Sequence, residues 1–283
     1  MNMKKLNLSV LAFLLVLSAQ AQIKMPPPSP TFELKGTVGM ADVQVVYSRP
    51  SARGRKVAGN LIPYNEVWRT GANASTKISF SEDVTLNGHA VPAGEYALYT
   101  QFTEETATII LSKNLTWWGS LGYDQAEDLV RFDVPVKHPS SMYETFTISF
   151  SDFTANSANL NMKWEHTKAM FKIESEVDSH VMADIKAQVI DATPENPGVY
   201  FQAAGYYYET ERDSEMALKW VNKALDAAEN KPYWVVHLKA KLLARMGKNE
   251  DAKAAAEESI ELAKAGGNPD YVRLNEKLIA ELK

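Results

Sequence analysis

The stretch from Arg49 to Asn73, RPSARGRKVAGNLIPYNEVWRTGAN, holds four arginines and one lysine against a single acid, Glu66. A guanidinium presents five donors in a planar fork that matches a carboxylate, phosphate or sulfate, and its face stacks on an indole or a phenol. Arg49, Arg53, Arg55 and Arg69, interleaved with Tyr64, Trp68 and Asn73, therefore contain both halves of a site for a small anionic or sugar-like ligand. The same residues also fit a packed cover over one end of a domain. A long irregular connection has to be tied down, and Glu66, Glu95, Asp124 and Asp128 are acids with which the arginines could pair. Between these readings Arg69, directly after Trp68, is expected to be a structural tie. Arg53 and Arg55, flanking Gly54, are expected to face the ligand.

A second constellation is Tyr123, Asp124 and Asp128. Carboxylates four apart on a helix share a face and could act as acid and base on a glycan or ester, or as ligands for a hard cation. The competing reading is a capping box, with Asp124 accepting from the third helical amide, Glu127 reaching back and Asp128 pairing with Arg131. Trp117 could serve a sugar-stacking platform or a core, and Trp118 is expected in the core.

Other chemistry lacks its residues. The five histidines never fall in His-x-His or His-Glu-x-x-His spacing, so no metal site and no cofactor is expected. There is no Gly-x-Ser-x-Gly elbow, Ser-x-x-Lys or phosphate-binding loop, and catalytic residues are not identifiable. Cysteine is absent altogether, which removes disulfides, thiolate ligands and a cysteine nucleophile.

The elements that must position these residues change character near Ile173. From about Phe32 the pattern has period two: Phe146, Ile148 and Phe150 alternate with polar residues, as do Ile78 with Phe80 and Leu160 with Met162 and Trp164. Asn87-Gly88 between two short apolar runs is a hairpin turn. Strands at this spacing predict an antiparallel β-sandwich over residues 32–173, large enough to bury roughly two thirds of its unfolded surface. After Ile173 the period becomes helical. Gly205, Tyr208, Ala217 and Ala224, then Ala240, Leu243, Gly247 and Ala252, with 35 residues between Ala217 and Ala252, resemble tetratricopeptide repeats, whose period is about 34. Tyr208 is expected at a packing position, leaving Tyr206 or Tyr207 to line a groove. The fold class is α+β in two domains: an N-terminal antiparallel sandwich and, over 174–283, tetratricopeptide-like hairpins offering a protein-contact surface.

A longer pattern joins these pieces: Arg49-Pro50-Ser51-x-Arg53-Gly54-Arg55, Pro63-Tyr64, Trp68-Arg69-Thr70-Gly71-Ala72-Asn73, Pro92-Ala93-Gly94-x-Tyr96, Trp118-Gly119 and Tyr123-Asp124 with Asp128 and Arg131. In order and spacing it closely resembles the domain-of-unknown-function 2911 family over about 140 residues. The resemblance implies a bacterial secreted β domain and implies almost nothing about activity. Where such proteins carry a glutamate after Gly-Ala-Asn, this chain has Ala74.

Location follows from the first residues. Lys4 and Lys5 precede an apolar run from Leu6 to Leu17 that ends in Ser-Ala-Gln-Ala, which reads as a signal peptide over 1–21 cleaved before Gln22, with a Pro-rich linker over 22–31. The run is too short for a membrane span, so a periplasmic or secreted protein is expected. Cleavage removes two lysines and takes the net charge from −5 to −7, a balance that excludes nucleic acid as a natural partner. The resulting expectation is an exported non-enzymatic binding or interaction protein of the cell envelope, the alternative being a hydrolase that uses Asp124 and Asp128.

Overall fold

The computed structural model describes residues 25–282. The leader over 1–21 and its cleavage before Gln22 lie outside the described residues. Contacts divide the chain between Val177 and Asp178.

Among the described residues of the first unit, alternation of apolar and polar residues produces twelve antiparallel strands in two sheets. The larger sheet holds β1 (Thr31–Val38), β2 (Ala41–Ser48), β3 (Val67–Trp68), β4 (Thr76–Phe80), β7 (Gly94–Phe102), β8 (Thr106–Ser112) and β9 (Asp128–Pro135), in the order β1-β2-β4-β7-β8-β9, with β3 paired to β7. The smaller sheet runs β10-β11-β12-β5-β6, from β10 (Tyr143–Ser151), β11 (Ser157–Glu165), β12 (Thr167–Ser175), β5 (Val84–Leu86) and β6 (His89–Val91). Asn87 and Gly88 join β5 to β6 at φ 47° and 85°, the left-handed pair that a tight two-residue hairpin requires. Alternate residues of the central strands enter one apolar core: Val43, Val45 and Tyr47 of β2 share it with Phe146 and Ile148 of β10, Leu160, Met162 and Trp164 of β11, and Phe171 of β12. Such a two-sheet core, with no cysteine, holds the unit by packing.

The larger sheet also buries part of its other face. Ala97, Tyr99 and Ile110 are covered by Leu115, Trp117 and Tyr123 from the segment between β8 and β9. In that segment Trp118 is 65% exposed, correcting the expectation of a core tryptophan.

The second unit is all helical: α1 (Asp178–Ile185), continued by a π turn over Lys186–Ile190, then α2 (Gly198–Glu209), α3 (Ser214–Asp226), α4 (Tyr233–Arg245), α5 (Asn249–Ala265) and α6 (Pro269–Glu281). From α2 onward each helix packs on the next. Buried Ala204, Ala217, Ala240, Ala252 and Ala256 permit that approach. Asp213 and Asn268 cap α3 and α6 through their side chains, and Pro232 precedes α4. Tyr207 is the buried member of the tyrosine triplet, edge-on to Trp220 at 4.7 Å, and Tyr208 is only partly buried. Among the described residues no helix is long and apolar enough to cross a membrane.

Candidate functional site

After β2 the chain leaves its own sheet and runs beside β10 of the other. Phe146 N donates to Pro50 O at 2.8 Å and Ala52 N to Glu144 O at 2.7 Å, with Ser51 bridged to Thr145. Arg49 is committed to this crossing: its Nε donates to Phe146 O (3.1 Å), its Nη2 to Thr147 Oγ1 (2.8 Å), and its guanidinium lies 4.9 Å from the centre of the Phe32 ring. Arg55 is anchored just beyond, Nε donating to Ala52 O and Nη2 to Ser51 O, both at 2.9 Å. Those two bonds fix its fork and leave Nη1 without a partner among the described residues.

The facing wall is the loop from β3 to β4. Thr70 and Asn73 take φ of 53° and 61°, and the loop satisfies its own carbonyls: Trp68 Nε1 donates to Gly71 O (3.0 Å), Thr76 Oγ1 to Thr70 O (2.6 Å) and Arg69 Nη1 to Asn73 O (2.8 Å). A loop that closes on itself presents its side chains already ordered. Arg69 keeps Nε and Nη2 without hydrogen-bond partners among the described residues.

Between these walls lies a cleft of ≈ 350 Å³. Arg55, Arg69 and Asn73 form its polar side; Leu61, Ile62 and Trp68 form an apolar side, with Trp164 beneath. Trp68 and Trp164 are stacked, centroids 5.8 Å apart at 22°. None of the four loop arginines enters an ion pair among the described residues. Glu144 and Glu165, which touch this connection, accept instead from the backbone amides of Arg53 and Val57, at 2.8 and 2.9 Å. Two guanidiniums therefore share one cleft with no acid paired to either.

Of the residues read from the sequence, the cleft brings together Arg55, Trp68, Arg69 and Asn73. Arg49 is turned away into the crossing. Arg53 is exposed, with Nη2 reaching Pro28 O at 3.4 Å, and Asn73 Nδ2 reaches Ser29 O at the same distance, so the segment before β1 passes the mouth of the cleft. Tyr64 packs on the core beside Gly59. Arg69 lines the cleft and is tied to the Asn73 carbonyl, with no acid as its partner among the described residues, and Arg53 meets the chain's own N-terminal segment. Arg49 is taken by the Phe146 carbonyl and Arg53 reaches that of Pro28, distant backbone that no local pattern announces. Trp164, Leu61 and Ile62 were not singled out. Trp164 belongs to an alternating run that specifies burial alone, and nothing local marks it as a cleft floor.

Tyr123, Asp124 and Asp128 lie elsewhere, at the covered outer face of the larger sheet. The helix that was to carry both carboxylates is one turn of 3₁₀, Gln125–Glu127. Asp124 caps it by accepting from Ala126 N at 2.9 Å, the second amide and not the third, and Asp128 already opens β9, where it pairs with Ser112 ahead of Val130 to Pro135, which pair with Leu111 to Thr106 of β8. Asp128 has a side chain only 6% exposed. Its Oδ2 accepts from Tyr123 Oη (2.6 Å) and Arg131 Nη1 (2.9 Å), while Oδ1 is buried with no hydrogen-bond partner. Burial and then Asp128 push the Tyr123 hydroxyl far above the usual tyrosine range, so it stays a donor. The pair thus has one capping and one ion-paired carboxylate, not an acid and base facing a common substrate. Among the described residues no group of three or more histidine, aspartate or glutamate side chains could hold a metal ion.

A family model described as protein of unknown function (DUF2911) matches residues 29–173, which span the sandwich and the whole cleft. No curated protein and no solved structure matches the chain.

Proposed function

The chain belongs to the family described as protein of unknown function (DUF2911), and on that premise we propose that it is an exported, non-enzymatic binding protein of the cell envelope. Its ligand site is the cleft between the β3–β4 loop and the crossing after β2, and the ligand carries an anionic group. The observation that carries this reading is the pairing of Arg55 and Arg69 in one cleft, each held by backbone carbonyls, each with spare donors, and neither paired to an acid. Guanidiniums so held are preorganised for a planar or tetrahedral oxyanion.

The helical unit supplies the second half of the proposal. Successive helix packing, buried alanines and the 35-residue spacing of Ala217 and Ala252 support tetratricopeptide-like hairpins with a protein-contact surface. Cleavage before Gln22 and a periplasmic or secreted location complete the reading, on the charge and apolar pattern of the first 21 residues.

Thermal unfolding of the full mature chain tests the site. Acetate, phosphate, sulfate and glucuronate at millimolar concentration should raise the melting temperature of the wild type for at least one anion, by ligand linkage. The shift should vanish in Arg55→Gln and Arg69→Gln and persist in Arg53→Gln. An anion response equal in all four proteins would reject the cleft as the site.

A further inference from the structure

β1 is an outer strand of the larger sheet, paired with β2 on one side and, among the described residues, with no strand on the other. It runs from Thr31 to Val38 with neither a proline nor a bulge to blunt that open edge.

The ladder fixes which backbone groups face outward, because residues opposite one another in antiparallel strands alternate between hydrogen-bonded and non-hydrogen-bonded pairs. Arg49 N donates to Pro30 O at 3.0 Å, one step before the Thr31 and Ser48 pair, so the even-numbered residues of β1 bond to β2. Ser81 N donates to Asp42 O, also at 3.0 Å, which commits the even-numbered residues of β2 to β4 and leaves its odd ones for β1 in the same phase. The amides and carbonyls of Thr31, Glu33, Lys35 and Thr37 therefore point to the open edge.

The side chains along that edge carry a second signal. Glu33 and Lys35 stand on the outer face and pair with each other along the strand at 2.7 Å. On the inner face Phe32 is 45% exposed, while the Phe150 ring lies 3.2 Å from where Gly36 would carry a Cβ. Phe153, edge-on to Phe150, is exposed as well.

We propose that β1 pairs antiparallel with β1 of a second copy about a two-fold axis at Leu34, joining the two larger sheets into one. Outward-facing residues must meet outward-facing residues, so odd numbers face odd numbers. Centring the pair on Glu33 or on Lys35 would set like charges directly opposite, whereas centring it on Leu34 sets Glu33 opposite Lys35 at two places and Thr31 opposite Thr37 at two more. Those four residue pairs exchange about eight backbone hydrogen bonds. Between them Phe32 falls opposite Gly36 of the second copy, where an aromatic ring covers the backbone that an edge glycine exposes. Both copies use the same edge, so the contact closes as a dimer and does not propagate. This surface is independent of the anion reading.

Sedimentation equilibrium of the full mature chain tests it. The wild type should dimerise, and Glu33→Lys and Lys35→Glu should each weaken the dimer by about tenfold or more, because each sets like charges opposite at two places. Mixed in equal amounts, the two variants should recover a dimer, since lysines on one copy then face glutamates on the other. Both side chains are exposed, and melts that match the wild type would show that the fold is kept. The register has its own readout because the chain has no cysteine. Leu34→Cys should cross-link to itself under mild oxidation, as two residues facing across the axis can, and Glu33→Cys should not. A wild type that stays monomeric at every concentration would overturn the proposal, whether the edge is left bare or serves a strand of another protein. A dimer indifferent to both charge reversals, or a mixture of the two variants that stays monomeric, would overturn it equally, and cross-linking through Glu33→Cys in place of Leu34→Cys would overturn the register.

Discussion

The guanidinium of Arg69 lies where Gly119 has no side chain: a Cβ on Gly119 would sit 2.9 Å from Arg69 Nε and closer still to Cζ. Gly119 takes φ +69°, and its carbonyl accepts from the Tyr99 hydroxyl at 3.0 Å. The β8–β9 segment thus sets the position of a cleft arginine from outside the cleft.

Replacing Gly119 by alanine should therefore displace Arg69 and lower anion affinity at least tenfold. Gly122→Ala is the control, because Gly122 lies in the same segment at φ +78° with its nearest neighbour 3.7 Å away. Both substitutions carry the strain of a left-handed residue, about 1 kcal/mol. Only Gly119→Ala should alter titration by a small anion, and equal affinities in the two variants would show that Arg69 is not seated by this contact.

Arg49 and Arg53 should part company in urea melts. Arg49→Ala removes two hydrogen bonds to β10 and the contact with the Phe32 ring, a loss of about 1–3 kcal/mol. Arg53→Ala removes one long, exposed contact and should change stability by roughly 0.5 kcal/mol or less. Equal losses would mean that the crossing is not held by Arg49.

How far the sequence reaches can be judged from these same residues. Alternation in Tyr143 to Phe150 and the Asn87-Gly88 turn made the sandwich legible, because period two and left-handed turns are local signals. Arg55, Trp68, Arg69 and Asn73 were legible as a group because one loop region supplies them all. Which arginine is withdrawn from the cleft was not, since Arg49 is taken by the Phe146 carbonyl nearly a hundred residues away in β10. Asp124 to Asp128 misled for a different reason: a capping pattern starts a turn, but the alternating run Val130 to Val134 pairs with β8 and ends it after three residues.

Asp128 and Arg131 form a nearly buried ion pair on the outer face of the larger sheet, with Tyr123 as a third member. Arg131→Gln should strand the carboxylate and cost about 2–3 kcal/mol, less than for a fully buried pair because the Arg131 side chain is 26% exposed. Adding Asp128→Asn should recover part of that loss. A double variant less stable than the single one would contradict the pairing.

His237 in α4 makes the helical unit sensitive to acid. Its Nδ1 lies 2.8 Å from Asn275 Oδ1 in α6, and the Asn275 amide already donates to Ser259 Oγ and Tyr271 O, so the imidazole is the donor. Burial holds its pKa below the usual histidine value of 6.5. The unfolded chain then binds the proton more readily than the folded one, so stability is complete above pH 6.5 and declines as pH falls below it. Circular dichroism melts of the full chain should show this decline, and His237→Gln should flatten it. A decline unchanged in the variant would assign the acid sensitivity to other groups.

The central claim is that Arg55 and Arg69 form one anion site, and anomalous diffraction from a crystal of the mature chain soaked in selenate tests it most directly. The account predicts a selenium peak inside the cleft, its oxygens about 2.7–3.2 Å from Arg55 Nη1 and Arg69 Nη2. Selenium peaks confined to the exposed Arg53 or Lys56, with the cleft bare, would contradict it.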